Sequence, residues 1–306
     1  MKYYFAPVQG HTDAAYRHFH NMCYFPADVE YTTPFIRLEK GTLRNKDFKD
    51  LSSPLNDNIN LVPQIIFRDK DELQKLVTLI KENGAKRIDL NMGCPFPLQT
   101  GHKRGAATIA REDLAKDVAD IINENKEISF SVKIRLGLND PKEWHTLLPF
   151  LNTTELDHLT VHPRVAKQQY GGELNLDEFS LILNESKNPV VFNGDLKSPE
   201  DVKEIINMFP DLKGIMIGRG ALARPSIFNE IQEGNEWNRE KRIEVIKKFH
   251  DRLYNHYSEV LQGETQLLSK IQPFWEYSED EIGRKAWKLI NKAKTISKYR
   301  TALVNV

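Results

Sequence analysis

The sequence predicts an α/β fold: a (β/α)8 TIM barrel followed by an all-helical C-terminal domain. Three observations carry this. Short apolar runs alternate with helical patterns over about 220 residues, as a barrel of parallel strands requires. Polar residues gather where those runs end, which is where a barrel builds its site. Around Gly234 and Asn235 the alternation stops and only helical periodicity follows. The expected domains are therefore residues 1–235 and 236–306. A doubly wound open sheet is the competing architecture. It places a glycine-rich nucleotide fingerprint after its first strand, and Ala6-Pro7-Val8-Gln9-Gly10 is not one.

In chain order, residues 3–6 form the first strand. Thr12 caps a helix over residues 12–22, since its hydroxyl can take a free N–H of the first turn. Residues 29–33 and 61–67 are the second and third strands, and Asp69 caps the helix that runs to residue 81. The fourth strand, 87–91, precedes a helix over 112–123. Residues 128–136 make the fifth strand, with a helix over 141–150 after it. Residues 158–162 make the sixth, followed by a helix over 176–184. Residues 189–192 make the seventh, Ser198 caps the helix to residue 208, and 214–217 make the eighth. Helices over 239–260, 266–277 and 280–299 build the C-terminal domain, with Gly263 and Ser278 as breaks.

The 306 residues carry 43 basic and 43 acidic side chains, so overall charge points to no particular partner. Cys23 and Cys94 are too few for a disulfide framework and lack a metal-ligand spacing. No metal is expected, and a reducing cytoplasm is the expected setting. No apolar run approaches the ~20 residues that cross a bilayer. Residues 1–7 are too short and too interrupted for a signal peptide. No membrane partner is expected, and the chain is expected to act as a monomer.

The site is organised around Asp89-Leu90-Asn91-Met92-Gly93-Cys94-Pro95. Period-2 alternation places Asp89 and Asn91 on one strand face. Gly93 and Pro95 mark a turn that should hold Cys94 in an exposed loop. A small buried thiol is the competing reading. Lys133 and Arg135 share a face of the fifth strand, and an interior cation costs several kcal/mol unless an anion or strong acceptor meets it. An ion pair with Asp89 or another carboxylate is one solution, contact with a cofactor or substrate the other. Thr160 and His162 share a face of the sixth strand. Gln64, Asn91, Lys133 and His162 thus all lie near C-terminal strand ends. Asn193-Gly194-Asp195 and Gly218-Arg219-Gly220 follow the last two strands, where barrels commonly bind phosphate. Glycine lets the backbone approach, and Arg219 can add a bidentate contact. A phosphate site beside an interior lysine suits flavin mononucleotide (FMN), whose reduced ring carries charge that Lys133 can stabilise.

Together these motifs resemble the dihydrouridine synthase family. The match runs through Ala6-Pro7-Val8-Gln9-Gly10-His11-Thr12-Asp13, the stretch around Cys94, Val132 to Gly137, Val161-His162-Pro163-Arg164, Asn193-Gly194-Asp195 and Met216 to Leu222. The resemblance implies an FMN-bearing barrel with a helical C-terminal domain. It implies reduction of the C5–C6 double bond of uridine in RNA, mostly tRNA, with NADPH as electron source. By position, it implies that Pro7, Gln64, Lys133, His162, Asn193, Gly194, Asp195, Gly218 and Arg219 hold FMN. Asn91, Arg135 and Tyr170 then contact the flipped uracil, and Cys94 is the proton donor. Two positions depart from the family pattern. Pro163 stands where Gly is usual, and Pro7-Val8-Gln9 stands where Pro-Met-Glu is usual.

A base in folded RNA must leave its stack, at a cost of a few kcal/mol that backbone contacts offset. The last stretch carries a run of Lys and Arg with no acid after Glu281. Lys285, Lys288 and Lys292 share a helix face and mark the expected phosphate footprint, against a plain solvated face. Lys103 and Arg104, after Cys94, are further candidates. Truncation before Trp237 is expected to abolish RNA binding and leave flavin bound. Two other functions fit parts of the pattern. A small-molecule FMN barrel oxidoreductase, dihydroorotate-dehydrogenase-like or ene-reductase-like, needs neither a basic tail nor the Asn91-to-Pro95 signature. A non-catalytic RNA-binding protein of this fold leaves interior cations without a purpose.

Overall fold

In the computed structural model, which describes residues 1–306, the parallel strands are β1 (Lys2–Phe5), β2 (Val29–Thr32), β3 (Leu61–Val62), β4 (Gln64–Ile65), β5 (Arg87–Met92), β6 (Ser129–Gly137), β7 (His158–Val165), β8 (Val190–Asn193) and β9 (Gly214–Ile217). They are hydrogen-bonded in the order β3-β2-β1-β9-β8-β7-β6-β5-β4. The two ends of that order, β3 and β4, are separated in the chain only by Pro63, so the sheet closes on itself. Proline has no N–H to give a ladder. Pairing therefore passes from one neighbour to the other at this point: Leu61 lies opposite Tyr31, and Gln64 lies opposite Asp89. The expected (β/α)8 barrel is present, with its third strand in two pieces. A short antiparallel hairpin, Leu38–Glu39 with Thr42–Leu43, lies outside the expected elements.

Asp69 and Ser198 cap their helices as expected, accepting N–H bonds from Glu72 at 2.9 Å and Asp201 at 3.2 Å. Thr12 does not cap. Its hydroxyl is engaged with the backbone of Val8, and the helix Ala14–Tyr24 is capped by Asp13, which accepts from the Tyr16 N–H at 2.9 Å. The helix expected over 141–150 is Trp144–Leu151, because the Glu143 carboxylate takes the N–H groups of Leu138, Asn139 and Asp140 and holds that stretch as a turn.

The C-terminal region is helical, with different breaks. Arg239–Val260 is continuous as expected. The helix expected over 266–277 is Glu264–Ile271 and a 3-10 turn, since Pro273 cannot continue an α-helix. The helix expected over 280–299 is cut at Gly283 (φ +83°) and recapped by Thr295, giving Glu279–Ile282, Arg284–Lys292 and Ile296–Leu303. One apolar cluster of 69 residues runs from barrel residues such as Phe5 and Val132 to Phe249, Trp275 and Tyr299. Phe249 meets Tyr16 edge-on at 4.9 Å. Asp13 also accepts from the Tyr257 hydroxyl at 2.9 Å and pairs with Lys270 at 2.6 Å. No helix is long and apolar enough to cross a membrane.

Candidate active site

Strand register builds the site in rows. Gln64, Asp89 and Ser131 are aligned across β4, β5 and β6. Two residues further along come Asn91, Lys133 and Thr160, and then Arg135 with His162. Side chains of one strand two residues apart share a face, so these rows stack inward toward the C-terminal end of the barrel. There a cavity of about 510 Å3 opens. Its wall includes Pro7, Gln64, Asn91, Cys94, Lys133, Arg135, His162, Tyr170, Asn193, Gly194, Asp195, Gly218 and Arg219.

Asn91 forms the turn that carries Cys94. Its Oδ1 accepts the N–H of Gly93 at 3.1 Å and of Cys94 at 2.9 Å. Its Nδ2 donates to Gln64 Oε1 at 2.7 Å. Gln64 Nε2 donates in turn to Asp89 Oδ2 at 2.7 Å, and Ser131 Oγ donates to Asp89 Oδ1 at 2.6 Å. Cys94 is not in an exposed loop: it is 7% exposed and packs with Phe35 and Ile66. The reason is the 3-10 turn Gly105–Thr108, which folds back so that the Ala106 N–H donates to the Cys94 carbonyl at 3.1 Å. Burial pushes the thiol pKa up, while the Phe96 N–H, Arg135 and Lys133 pull the other way. The net rise keeps the proton on sulfur at neutral pH.

Lys133 is partly buried in the cavity wall, and no carboxylate is in ion-pair contact with it. Burial, then Arg135, lowers its pKa to about 8 against an opposing pull from Asp89. The ion pair with Asp89 that the sequence allowed is absent, because both Asp89 oxygens serve Gln64 and Ser131. Burial and the cations Arg135, Lys133 and Arg164 hold His162 well below its ordinary value, so it is neutral. Arg135 donates to the Val165 carbonyl at 3.0 Å and lies 5.3 Å from the Tyr170 ring. Arg219 lies 4.0 Å from the same ring and 3.2 Å from Asp195. Arg164 also bonds Asp195, so that carboxylate ties two guanidinium groups together. Pro163 falls where the register between β6 and β7 shifts, so its missing N–H lies at a point where the ladder is already interrupted.

Tyr277 and Asp280 reach the cavity wall from the helical region, and Phe35 and Phe96 also line it. Sequence spacing gave no signal for these four, because none belongs to a strand. A profile of the dihydrouridine synthase (Dus) family matches residues 4–303. The chain belongs to the dihydrouridine synthase family. It is 28% identical over 237 residues to tRNA-dihydrouridine synthase B of Pasteurella multocida (strain Pm70), covering 75% of this chain and 68% of that protein. It is 32% identical over 179 residues to a probable tRNA-dihydrouridine synthase of Rickettsia conorii, covering 58% and 54%. Among solved structures it is similar to histamine dehydrogenase from Rhizobium sp. 4-9 (TM-score 0.54, 14% identity, 76% of this chain and 46% of that one). It is also similar to morphinone reductase (TM-score 0.54, 9% identity, 78% and 87%). At such identities the likeness is one of fold, the TIM barrel.

For this member of the dihydrouridine synthase family, the basic residues expected at RNA lie away from the cavity wall. Lys103 is exposed. Arg104 is not available to RNA: it is 6% exposed and bonded through both Nε and Nη2 to the Glu72 carboxylate. It pins the loop after Cys94 to the helix Lys70–Glu82. Lys285, Lys288 and Lys292 are exposed along Arg284–Lys292, whose other side buries Ala286 and Ile290.

Proposed function

We propose that this protein reduces the C5–C6 double bond of uridine in tRNA to dihydrouridine, using FMN held in the barrel cavity and NADPH as the source of electrons. The observation that carries this reading is a buried Cys94 sharing one cavity with Lys133, Arg135 and Tyr170 in a member of this family. The likeness to relatives that are named tRNA-dihydrouridine synthases supports tRNA as the substrate class.

The residues present fit the cofactor. Lys133 is a partly buried cation on the cavity wall without an ion-paired carboxylate. After β8 and β9, Gly194 (φ +154°) and Gly218, where a Cβ would stand 3.3 Å from that of Ala6, leave the backbone open to a close approach. Gln64, Lys133, His162, Asn193, Gly194, Gly218 and Arg219 would hold FMN, together with Pro7 and Asp195. When bound, FMN supplies the hydride that reaches uracil C6. Tyr170 and Arg135 bind the uracil, and the Arg135 guanidinium stabilises negative charge developing toward the C4 carbonyl. Asn91 keeps one amide N–H beyond its bond to Gln64 and can offer it to the base. Cys94 gives its proton to C5 as general acid, which burial favours by keeping the thiol protonated.

The test is single-turnover reduction of a tRNA transcript with the flavin-loaded enzyme. Cys94→Ala is expected to keep the flavin absorbance and to slow reduction by about 10²–10⁴-fold, the usual weight of a positioned general acid. Undiminished reduction removes Cys94 from the reaction. Dihydrouridine mapping in tRNA from cells lacking the gene is expected to show one or more positions reverting to uridine.

A further inference from the structure

Asp89 is 1% exposed and does not itself line the cavity, although Gln64 of the same row does, and its side chain is bonded to neither the thiol nor Tyr170. Its surroundings nevertheless lead to Cys94. A carboxylate can only accept. One oxygen takes the Ser131 hydroxyl and the other takes Gln64 Nε2. With its nitrogen committed to Asp89, Gln64 turns its carbonyl oxygen to Asn91 Nδ2. With its own nitrogen committed there, Asn91 turns its oxygen to the N–H groups of Gly93 and Cys94. Every bond in this series runs in one direction, and Asp89 is the acceptor that fixes the direction. Were Gln64 to rotate, two amide nitrogens would face each other in a buried setting, a conflict that costs a full hydrogen bond. Strand pairing supplies the spacing, since Gln64, Asp89 and Ser131 are directly aligned.

We propose that Asp89 is a positioning residue for proton delivery. Acting through Gln64 and Asn91, it holds the Gly93–Cys94 turn and so sets where the thiol stands. The proposal rests on the reading of Cys94 as proton donor, and it assigns Asp89 no contact with base or flavin.

The experiment uses the flavin-loaded enzyme carrying Cys23→Ser, so that Cys94 is the sole thiol. Two quantities are measured: the pH–rate profile of Cys94 alkylation by iodoacetamide, and single-turnover uridine reduction. Asp89→Ala is expected to shift the alkylation profile and to slow reduction by roughly 10–100-fold, as loss of a group that orients a ligating or reacting residue does. Asp89→Asn is expected to restore both. Its amide oxygen can accept from Gln64 while its nitrogen donates to Ser131 Oγ, which leaves the direction of the series intact. A normal profile and rate in Asp89→Ala overturns the proposal. So does an Asp89→Asn enzyme as impaired as Asp89→Ala, because the charge beside Lys133 would then be what matters. Should Asp89→Ala fail to fold, Gln64→Met cuts the series one link nearer the thiol and must shift the alkylation profile; an unchanged profile overturns the proposal equally. Failure of the functional reading looks different: Cys94→Ala would reduce uridine normally while Asp89→Ala still altered thiol reactivity.

Discussion

Lys133 is where the chemistry of single residues is most exposed to test. Its folded pKa, about 8, lies below the ordinary lysine value of 10.5, with burial the main cause and Arg135 the next. Between these two pH values the unfolded chain binds more protons than the folded one, so the contribution of this group to stability rises with pH. At pH 7 this partly buried charge is a net cost. Lys133→Met in flavin-free protein is therefore expected to stabilise the fold at pH 7 by about 1–4 kcal/mol, the range seen when buried charges give way to apolar groups. The gain should shrink toward pH 10, and flavin retention should be lost. Urea denaturation at the two pH values checks this; no gain at pH 7 means that the ammonium is compensated within the chain. The two-residue spacing of Lys133 and Arg135 made interior cations legible in the sequence, since strand alternation sets the face. That neither cation pairs with Asp89 was not legible. It depends on Gln64 and Ser131, which approach Asp89 only through the register of the closed barrel.

At the scale of elements, strands were more legible than turns. Apolar runs found every barrel strand, but Pro63 was not recognised as the point where pairing changes neighbours. Helix ends at Asp13, Gly283 and Thr295 depended on local polar geometry that periodicity does not encode. The turn Gly105–Thr108 had the largest consequence. The chain turns at Gly93 through bonds to Asn91, yet Cys94 is not exposed by it, because a segment ten residues on folds over it. Gly105 has φ +60°, and a Cβ there would lie 2.6 Å from the Cys94 carbonyl oxygen and 2.7 Å from the Cys94 Cβ. Neither of those atoms is the flexible end of a side chain, so the backbone of one segment must move. Gly105→Ala is expected to cost about 1 kcal/mol or more in stability, from the left-handed conformation alone. It should slow uridine reduction while leaving flavin absorbance intact, because the displaced atoms belong to Cys94. Equal loss of flavin and reduction would instead mean a general collapse of the cavity.

At the scale of the whole molecule, charge and core give different answers about the helical region. The sequence suggested an appended domain that could be removed. The apolar cluster is continuous, with Phe249 set against Tyr16 and with Asp13 bonded to both Tyr257 and Lys270. Truncation before Trp237 would strip the aromatic face of the first helix, so loss of RNA binding in that variant would not locate the RNA surface. Charge reversal on one exposed face leaves the core untouched and separates the two. Lys285, Lys288 and Lys292 lie opposite the buried Ala286 and Ile290, on a chain whose formal net charge is zero. Against that background a local basic face dominates the field near the surface. Each lysine that meets a phosphate releases counterions, which makes affinity fall with salt by about 0.7–0.9 logarithmic units per contact. The variant Lys285→Glu, Lys288→Glu, Lys292→Glu is expected to weaken tRNA binding and to reduce the salt slope by about 2–3, with unchanged flavin absorbance and unfolding midpoint. The slope is the deciding quantity. A weaker complex with an unchanged slope would place these lysines outside the phosphate contacts. An unchanged affinity would move the RNA footprint to the barrel face, where exposed Lys103 stands in the loop that Arg104 anchors to Glu72 beside Cys94.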